Sequence, residues 1–432
     1  MSIKRTHELR DPIHTFIRMS SDERRIVDSL PVQRLRHIHQ LATTFLVYPG
    51  ATHRRFEHSL GVMELASRVF DVITAKENVR SDIEHIIPQE GHLLQYWRQT
   101  LRIAALLHDV GHLPFSHAGE EHLLPEGWDH ERLTYETIQM PEIKKLLDAL
   151  KVTPDDAAKL AVGAKKFKKY KEDGLFSDWE AILSEIITGD AFGVDRMDYL
   201  LRDSHHAGVA YGRFDHHRLI DSLRILPVEK DASKEPTLGV DHGGIHGAEA
   251  LLLARYFMFT QLYFHPIRRI YDIHLMDFLS AWLPGGVFDT EMSIHLCMTD
   301  NHVMAAILDA ANNPDVLGHD PARRITTRDH FRLLYERNPQ DIQSNPNAVQ
   351  LIYAEACNEF GESNVRHDII PAVAKGYDFP VLAYDERIVS SLEESDTLKK
   401  IPPASVGYVF IEPSIREKAR QWLTEKRESI IG

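Results

Sequence analysis

The sequence of 432 residues contains only two cysteines, Cys297 and Cys357, and no long apolar run. Two cysteines cannot form a disulfide framework, and such scarcity is typical of proteins in reducing compartments. Because no stretch of about 18 apolar residues occurs, the sequence predicts no membrane span. Residues 1–7 also lack the apolar segment of a secretion signal. Together these absences predict a cytoplasmic protein.

The sequence also lacks an excess of positive charge, since 50 Lys and Arg face 64 Asp and Glu, for a net charge of −14. A phosphate backbone requires a clustered positive surface, so nucleic-acid binding is not favoured. Residues 165–171 are the exception, with five lysines in seven residues. The more ordinary interpretation of this run is a solvated helix face, and a local basic patch is the alternative.

What is present describes a globular protein, with 43% hydrophobic and 26% charged residues. Its length predicts two or three structural units. Histidine is abundant, with 26 residues. Because imidazole both binds metals and transfers protons near neutral pH, this abundance weakly favours a metal site.

The stretch from residue 104 to 117 carries the strongest chemical signal. An apolar helical run ends in His108 and Asp109, followed by Gly111, His112 and His117. A helix terminus with a glycine stop accounts for the glycine and one histidine. The remaining donors indicate metal or phosphate chemistry, because imidazole and carboxylate bind the same divalent ions.

Periodicity predicts a mainly α fold with a β-hairpin over residues 223–228 and 237–240 and a long helix over 247–282. The sequence Pro284-Gly-Gly286 predicts the main boundary, which separates a helical core (1–286) from a C-terminal α+β lobe (287–432). In that lobe we expect short helices near 291–310 and 328–338, extended segments, and a final helix over 414–429. Its expected role is oligomerisation or regulation.

Four ligand candidates, two of them an adjacent pair, lie on three separate predicted helices, as metal sites in helical bundles usually require. Two histidines and two carboxylates suit Mg, Mn, Fe or Zn. Their spacing fits no local zinc motif, so the residue pattern alone does not join them. The four are His58, His108, Asp109 and Asp195.

A series of motifs resembles the HD-domain metal phosphohydrolases, and within them the deoxynucleoside triphosphate triphosphohydrolases of the SAM-and-HD-domain type. The resemblance covers about residues 8–285 and implies an HD-domain helical bundle. The motifs that carry it are Asp11-Pro-Ile-His14, Gln33-Arg-Leu-Arg36, Arg55-Phe-Glu-His-Ser-Leu-Gly61, His108-Asp-Val-Gly-His112, Pro114-Phe-Ser-His117 and Asp195-Arg-Met-Asp-Tyr199.

This resemblance implies that the four candidates hold the metal, which would activate water for attack on the α-phosphorus of a dNTP. Arg55 would bind the α-phosphate, with Arg196 and Arg255 on the outer phosphates. The sugar 5′-oxygen would leave, which gives a deoxynucleoside and inorganic triphosphate. The general acid would be His117, oriented by Glu120 where the family has Asp. His112 and His130 would complete the polar wall.

The resemblance also implies a deoxyribose pocket. Asp203 would accept a hydrogen bond from the 3′-hydroxyl, and a tyrosine against C2′ would leave no room for a ribose 2′-hydroxyl. From periodicity alone, Tyr263 is equally well a core aromatic. The residues of the implied pocket are Gln40, Leu41, Tyr199, Asp203 and Tyr263.

A second nucleotide site is implied near the N-terminus, where GTP or a dNTP would promote a homo-oligomer, either a dimer or a tetramer. Asp28, Gln33 and Arg36 match the residues that bind guanine in the family, whereas His7 stands where the family has lysine. Alternatively, Asp28 is a helix cap and Arg36 a surface salt-bridge partner.

Two other functions stay open. One is a different HD phosphohydrolase, such as a nucleotide phosphodiesterase, a 5′-nucleotidase or a single-strand nuclease. The other is a nucleotide sensor without catalysis. The tyrosines and Asp203 favour a dNTP triphosphohydrolase, because the alternatives assign them no task.

Overall fold

The computed structural model describes residues 6–116, 120–171, 174–230, 233–371 and 378–432. The mainly α fold is confirmed, with small sheets set among the helices. In these ranges no helix combines the length and the apolar character needed to cross a membrane.

The N-terminal part begins with an antiparallel hairpin and continues as a helical bundle. Leu9 lies opposite Ile17 in this hairpin. Its elements are β1 (Thr6–Asp11), β2 (Thr15–Ser20), α1 (Ser21–Val27), α2 (Leu30–Arg34), α3 (Arg55–Ile73), α4 (Gly91–Leu107), α5 (Glu120–Leu123), α6 (His130–Ile138), α7 (Pro141–Ala149), α8 (Pro154–Val162), α9 (Ala164–Tyr170), α10 (Asp178–Thr188), α11 (Val194–Ala207) and α12 (His216–Asp221).

Helix α3 lies at the centre of the bundle because its apolar residues recur at helical spacing. Val62, Leu65 and Val69 are fully buried in the largest core cluster. The same cluster includes the apolar end of α4 and the inner face of α11. These three helices bring their polar ends together at one place.

The predicted hairpin is confirmed as β3 (Leu223–Lys230) and β4 (Ser233–Asp241), with Leu223 opposite Val240. Strand β4 also pairs in parallel with β7 (Pro380–Leu382), which pairs with β8 (Ile388–Ser390). The hairpin therefore belongs to a four-stranded sheet that includes C-terminal residues.

The single helix predicted over 247–282 is wrong. The chain instead forms α13 (Ile245–Met258), a π-helix (Phe259–Tyr263) and α14 (Pro266–Trp282). Pro266 stands in the first turn of α14, where its missing N–H is tolerated. Apolar residues continue through the break, which is why the pattern gave no sign of it.

The C-terminal region combines helices with a three-stranded antiparallel sheet in the order β5-β9-β6. The helix predicted over 328–338 is wrong, because residues 332–336 form a strand that pairs with β9. The elements are α15 (Met292–Cys297), α16 (Asp300–Ala311), α17 (His319–Thr327), β5 (Arg332–Glu336), α18 (Pro339–Ser344), α19 (Ala348–Phe360), β6 (Val365–Ile370), α20 (Ser391–Glu394), β9 (Val406–Ile411) and α21 (Arg416–Ile431).

Packing is continuous around residue 286, which ends a short 3-10 turn (Pro284–Gly286). One core cluster joins Phe115 and Phe278 to Val303 and Ile307 of α16. Another cluster is confined to the three-stranded sheet and α19 and α21. The boundary at 286 stays a prediction.

Candidate metal centre and substrate site

The four predicted ligand candidates come from the three central helices. His58 lies one turn into α3, His108 and Asp109 follow the end of α4, and Asp195 lies in the first turn of α11. His58, His108 and Asp109 are buried, and each offers one ligand atom within 4.8 Å of the others. The fold thus brings together residues that are far apart in the chain.

Asp195 completes this group. His58 Nε2 lies 3.0 Å from Asp195 Oδ1 and 3.6 Å from Asp109 Oδ2. His108 Nε2 lies 3.3 Å from Asp109 Oδ1 and 3.6 Å from Asp195 Oδ1. Two imidazole nitrogens and two carboxylates therefore face one small space.

The hydrogen bonds of both histidines suit a cation in that space. His58 Nδ1 lies 2.7 Å from Asp198 Oδ2, and His108 Nδ1 lies 2.8 Å from Ala105 O. When Nδ1 donates in this way, Nε2 is left with the lone pair that a metal needs. His108 Nε2 is buried without a hydrogen-bond partner among the described residues. The donor set fits a divalent ion.

The electrostatics of the group favour charged carboxylates. Burial raises the pKa of Asp109, but Arg55, His108 and His112 outweigh it and hold the pKa well below its usual value. Burial also opposes the ionisation of Asp195, yet the neighbouring imidazoles of His108 and His58 lower its pKa. For His58 burial lowers the pKa, whereas Asp195 and Asp198 raise it to about 10. Without a cation, a proton on His58 balances the carboxylates.

Arg55 is fixed at the edge of this group. Its Nη1 donates a short hydrogen bond to Asp109 Oδ2, and its Nε donates to Ser116 Oγ at 2.7 Å. The residue is only 3% exposed. A buried guanidinium next to the ligand candidates is suited to a phosphoryl oxygen.

The predicted polar wall contains a stacked pair of histidines. The rings of His112 and His130 lie 4.0 Å apart at 13°. Glu120 Oε1 lies 2.5 Å from His130 Nδ1 and accepts from the His130 backbone N–H at 2.8 Å. Glu120 therefore orients His130. His117, the predicted general acid, lies outside the described residues, as does any contact it makes with Glu120.

The stacked histidines differ in charge. Burial, Arg55 and His130 lower the pKa of His112 well below its usual value. Burial also lowers that of His130, but the carboxylate of Glu120 outweighs it and raises the pKa. His112, Glu120 and His130 also form a second group with metal-ligand spacing. The pair thus combines a neutral imidazole with one whose protonation Glu120 favours.

Gly111 lets α6 approach the turn after His108 closely enough for His130 to stack on His112. A Cβ at this position would lie 2.2 Å from His130 O and 2.3 Å from Thr134 N. Helix α6 can therefore pack directly on the turn after His108. The helix-stop interpretation of this glycine is replaced by a packing role.

The predicted sugar residues surround Asp203 on α11. Tyr263 Oη donates to Asp203 Oδ2 at 2.7 Å, and His53 Nε2 lies 2.7 Å from Asp203 Oδ1. The rings of Tyr199 and Tyr263 meet edge to face at 6.2 Å. Tyr263 occupies the last position of the π-helix. The aromatic pair and the carboxylate thus form one wall.

Gln40 and Leu41 lie beside this wall, since the Gln40 N–H donates to His53 O at 3.1 Å. Both residues are 9% exposed. Arg196 and Arg255 are both close enough to lower the pKa of Tyr199, although burial raises it overall. Arg196 Nη1 donates to Gly189 O at 3.0 Å, and Arg255 lies over the ring of Phe259 at 5.5 Å.

The predicted activator residues lie on the surface around α2. Gln33 Nε2 donates to Val27 O at 2.8 Å, and Arg36 Nε donates to Gln33 Oε1 at 2.9 Å. Arg36 also stacks on Phe56 at 3.5 Å. Asp28 pairs with Arg24 at 3.3 Å across the end of α1. Gln33 and Arg36 form a contact, whereas Asp28 is occupied locally.

The sequence did not reveal several residues that support the site. His14 and Asp198 stand in recognised motifs, but nothing in the sequence shows that they contact each other at 2.6 Å across 184 residues. His53 precedes the Arg55 motif without any signal of its bond to Asp203. Asp300 lies outside every motif.

Two family models match the chain. The HD-domain model matches residues 55–203, and the model of the HD-associated region matches residues 214–358. YwfO of Bacillus subtilis is 31% identical over 86% of this chain and 80% of its own length. The chain belongs to the HD-domain phosphohydrolase family. Metal dependence in this family agrees with the donor set of His58, His108 and Asp109.

Two further relatives of this HD-domain protein are informative. The human protein named deoxynucleoside triphosphate triphosphohydrolase SAMHD1 is 30% identical over 63% of this chain and 44% of its own length. The chain spans about half the length of most curated relatives that it matches. A crystal structure of a hypothetical protein from Aquifex aeolicus is 31% identical, with a TM-score of 0.78, and covers 97% of this chain and 100% of that one.

Proposed function

We propose that this chain hydrolyses deoxynucleoside triphosphates to a deoxynucleoside and inorganic triphosphate. The observation that carries the proposal is the arrangement along α11. Asp195, Tyr199 and Asp203 follow at i, i+4 and i+8, so a ligand candidate and a hydroxyl-binding carboxylate share one helix face. They lie about 12 Å apart along the axis. The name of the human relative supports this choice of substrate.

The phosphates would meet fixed cations. Arg55 is buried and held by Asp109 and Ser116, so it needs little reorganisation when charge develops on the α-phosphoryl oxygens. Arg196 and Arg255, near Tyr199, would bind the outer phosphates. The four ligand candidates would hold a divalent ion, which would supply Lewis acidity to water and to the α-phosphate. Its identity among Mg, Mn, Fe and Zn is open.

The sugar would be selected by the aromatic wall. Burial and Asp203 raise the pKa of Tyr263 well above its usual value. The hydroxyl therefore stays protonated and donates a hydrogen bond to Asp203. Asp203 can still accept from a 3′-hydroxyl, because each carboxylate oxygen has two acceptor positions. A ribose 2′-hydroxyl would collide with a tyrosine ring.

The leaving 5′-oxygen requires a proton, and we assign its donation to His117. His130 is another imidazole of the same wall, and Glu120 favours its protonated form by raising its pKa. His112 stays neutral because its pKa is lowered. The two stacked rings therefore differ in role: His130 can hold a proton, and His112 lines the site as a neutral imidazole.

We further infer that GTP or a dNTP binds near Gln33 and Arg36 and favours a homo-oligomer. The hydrogen bond between these side chains presents a guanidinium and an amide side by side, which suits a guanine edge. Because Asp28 pairs with Arg24, an activator would have to displace that contact.

The test incubates purified protein with each dNTP and with Mg²⁺ or Mn²⁺, in the presence and absence of GTP, and separates the products by chromatography. Triphosphate and deoxynucleoside are the expected products. Diphosphate or monophosphate, or no turnover with any metal and activator, would refute the proposal. The Asp109→Ala protein, which should lose its metal and its activity, excludes a contaminating hydrolase.

A further inference from the structure

Two consecutive residues before His117 adopt the left-handed backbone conformation. Phe115 and Ser116 both have φ of 58°. This conformation is unfavourable for residues with a Cβ, and it persists where surrounding contacts enforce it. Phe115 is fully buried and Ser116 is 3% exposed, so those contacts lie inside the protein.

Asp300 at the start of α16 supplies these contacts. Its Oδ1 accepts from the Phe115 N–H at 2.7 Å. Its Oδ2 accepts from the His39 N–H at 2.7 Å and lies 2.6 Å from His39 Nδ1. Asp300 is only 2% exposed. Both carboxylate oxygens are therefore committed to two distant segments of the chain.

The same segments are joined a second time through Ser116. Its Oγ donates to His39 O at 2.7 Å and accepts from Arg55 Nε at 2.7 Å. The ring of His39 stacks on that of Phe115, with centroids 6.0 Å apart at 10°. A closed network thus runs from Asp300 through the left-handed turn to Arg55.

Arg34 forms a parallel connection. Its Nε donates to Met298 O and its Nη1 donates to His112 O, both at 2.9 Å. Arg34 is 3% exposed. Residues 298–300 are therefore fastened to residues 112–116 at both ends. Residues 298–300 belong to the HD-associated region and residues 112–116 to the HD domain.

We propose that Asp300 is a positioning residue of the reaction, supplied by the HD-associated region. It holds the turn at Phe115 and Ser116, and through Ser116 it places Arg55 against the phosphate. Its consequence for catalysis rests on the proposed function. We call the contacts of Asp300 with Phe115 and His39, together with those of Ser116, the clamp. Its existence can be tested without measuring turnover.

The experiment compares Asp300→Asn with Asp341→Asn in the full chain. Asp341 is a matched control, because it is also buried and multiply hydrogen-bonded, but its partners are Tyr335, Asn338 and Arg427 in the C-terminal sheet region. Metal content, urea unfolding, hydrogen exchange of residues 113–116, kcat and KM are measured for each protein.

Asp300→Asn should keep the metal content, speed exchange at residues 113–116 and lower kcat by about 10–100-fold with little change in KM, because small misplacement of catalytic groups has effects of that size. Asp341→Asn should lose stability without either local effect. Equal kcat in the two variants, or exchange in Asp300→Asn that equals the wild type, would overturn the clamp.

Ser116→Ala keeps the test decisive if Asp300→Asn does not fold. It removes the hydroxyl between His39 O and Arg55, and it should lower kcat while the metal is retained. When both variants fold, the double variant should lose less than the product of the single effects, because both act on one turn. Strictly multiplicative losses would contradict the clamp. If the wild type releases no triphosphate, the proposed function fails while the exchange comparison still decides the clamp.

Discussion

The Nδ1 atom of His58 lies 2.7 Å from Oδ2 of Asp198, and this contact fixes the imidazole from the side opposite the ligand candidates. Asp198 is itself held by His14 at 2.6 Å and by two nitrogens of Arg202. Burial raises the pKa of Asp198, but Arg202, His14 and His58 outweigh it and lower it well below its usual value. The carboxylate is therefore charged and orients His58.

Asp198→Asn should weaken metal binding about 10–100-fold, because a supporting carboxylate sets the tautomer and basicity of a ligand histidine. The dissociation constant is measured by competition with a chromophoric chelator. Removal of one charge from this buried network should also lower the free energy of unfolding by about 3 kcal/mol. Unchanged metal affinity in a folded variant would contradict the role of Asp198.

Tyr263 offers a matched pair of substitutions. Tyr263→Phe removes the hydroxyl that donates to Asp203 but keeps the ring, so the preference for dNTP over NTP should persist, with KM raised about tenfold. Tyr263→Ala removes the ring, and the preference should fall. The measurement is the ratio of kcat/KM for dATP and ATP. Equal ratios in the two variants would remove Tyr263 from the sugar wall.

Glu185 predicts a pH dependence of stability. Burial raises its pKa from 4.5 to about 7, although Leu238 and Thr237 donate hydrogen bonds to it. The folded state thus holds the proton more tightly than the unfolded state. The contribution of this proton to the free energy of unfolding is fully present below pH 4.5 and is lost as the pH rises through 7. The loss is at most about 3 kcal/mol. Glu185→Gln should flatten this loss in urea titrations at pH 5 and 8.

Glu180 on the same helix is a control, because its pKa shift has the opposite direction to that of Glu185. Burial raises its pKa, but a hydrogen bond from Lys159 outweighs it and lowers the pKa. Its contribution is present above the ordinary glutamate value and disappears as the pH falls. Glu180→Gln should therefore lose stability at pH 8 rather than gain it, and parallel behaviour of the two variants would refute both assignments.

Gly61 should tolerate no side chain. A Cβ there would lie 1.9 Å from Asp198 Oδ1 and 2.5 Å from Arg202 Nη2. Gly61→Ala should lower the free energy of unfolding by about 1–3 kcal/mol and weaken metal binding, since it displaces Asp198. Gly91→Ala is the control, because nothing lies within 4 Å of its added methyl group. Equal unfolding midpoints for both variants would contradict the close approach of α3 and α11.

Local patterns were sufficient for much of the fold. The paired strands β3 and β4 are formed by residues close together in the chain, and this hairpin was predicted. Strand β5 was predicted as a helix, because its strand conformation depends on pairing with β9 more than seventy residues later. The π-helix has no signature in apolar spacing.

The site divides along the same line. The residue types of His58, His108, Asp109 and Asp195 indicate a metal ligand set, and the family resemblance predicts that the four residues form one site. The contacts of Asp198 with His14 and of Asp300 with His39 span 184 and 261 residues. These carboxylates meet their partners only in the folded chain, so the spacing of residues in the sequence does not predict the contacts.

Because Tyr263 ends the π-helix at Phe259–Tyr263, the number of residues in this segment determines whether Tyr263 reaches the wall formed with Tyr199 and Asp203. A π-turn accommodates one residue more than an α-turn, so a single-residue deletion there would restore an α-helix. Every residue on one side of the deletion would then rotate by about 100° relative to the other side. Tyr263 would leave Asp203 although no side chain had been substituted. Insertions and deletions in this segment would therefore change the proposed sugar selection without any substitution at Tyr263.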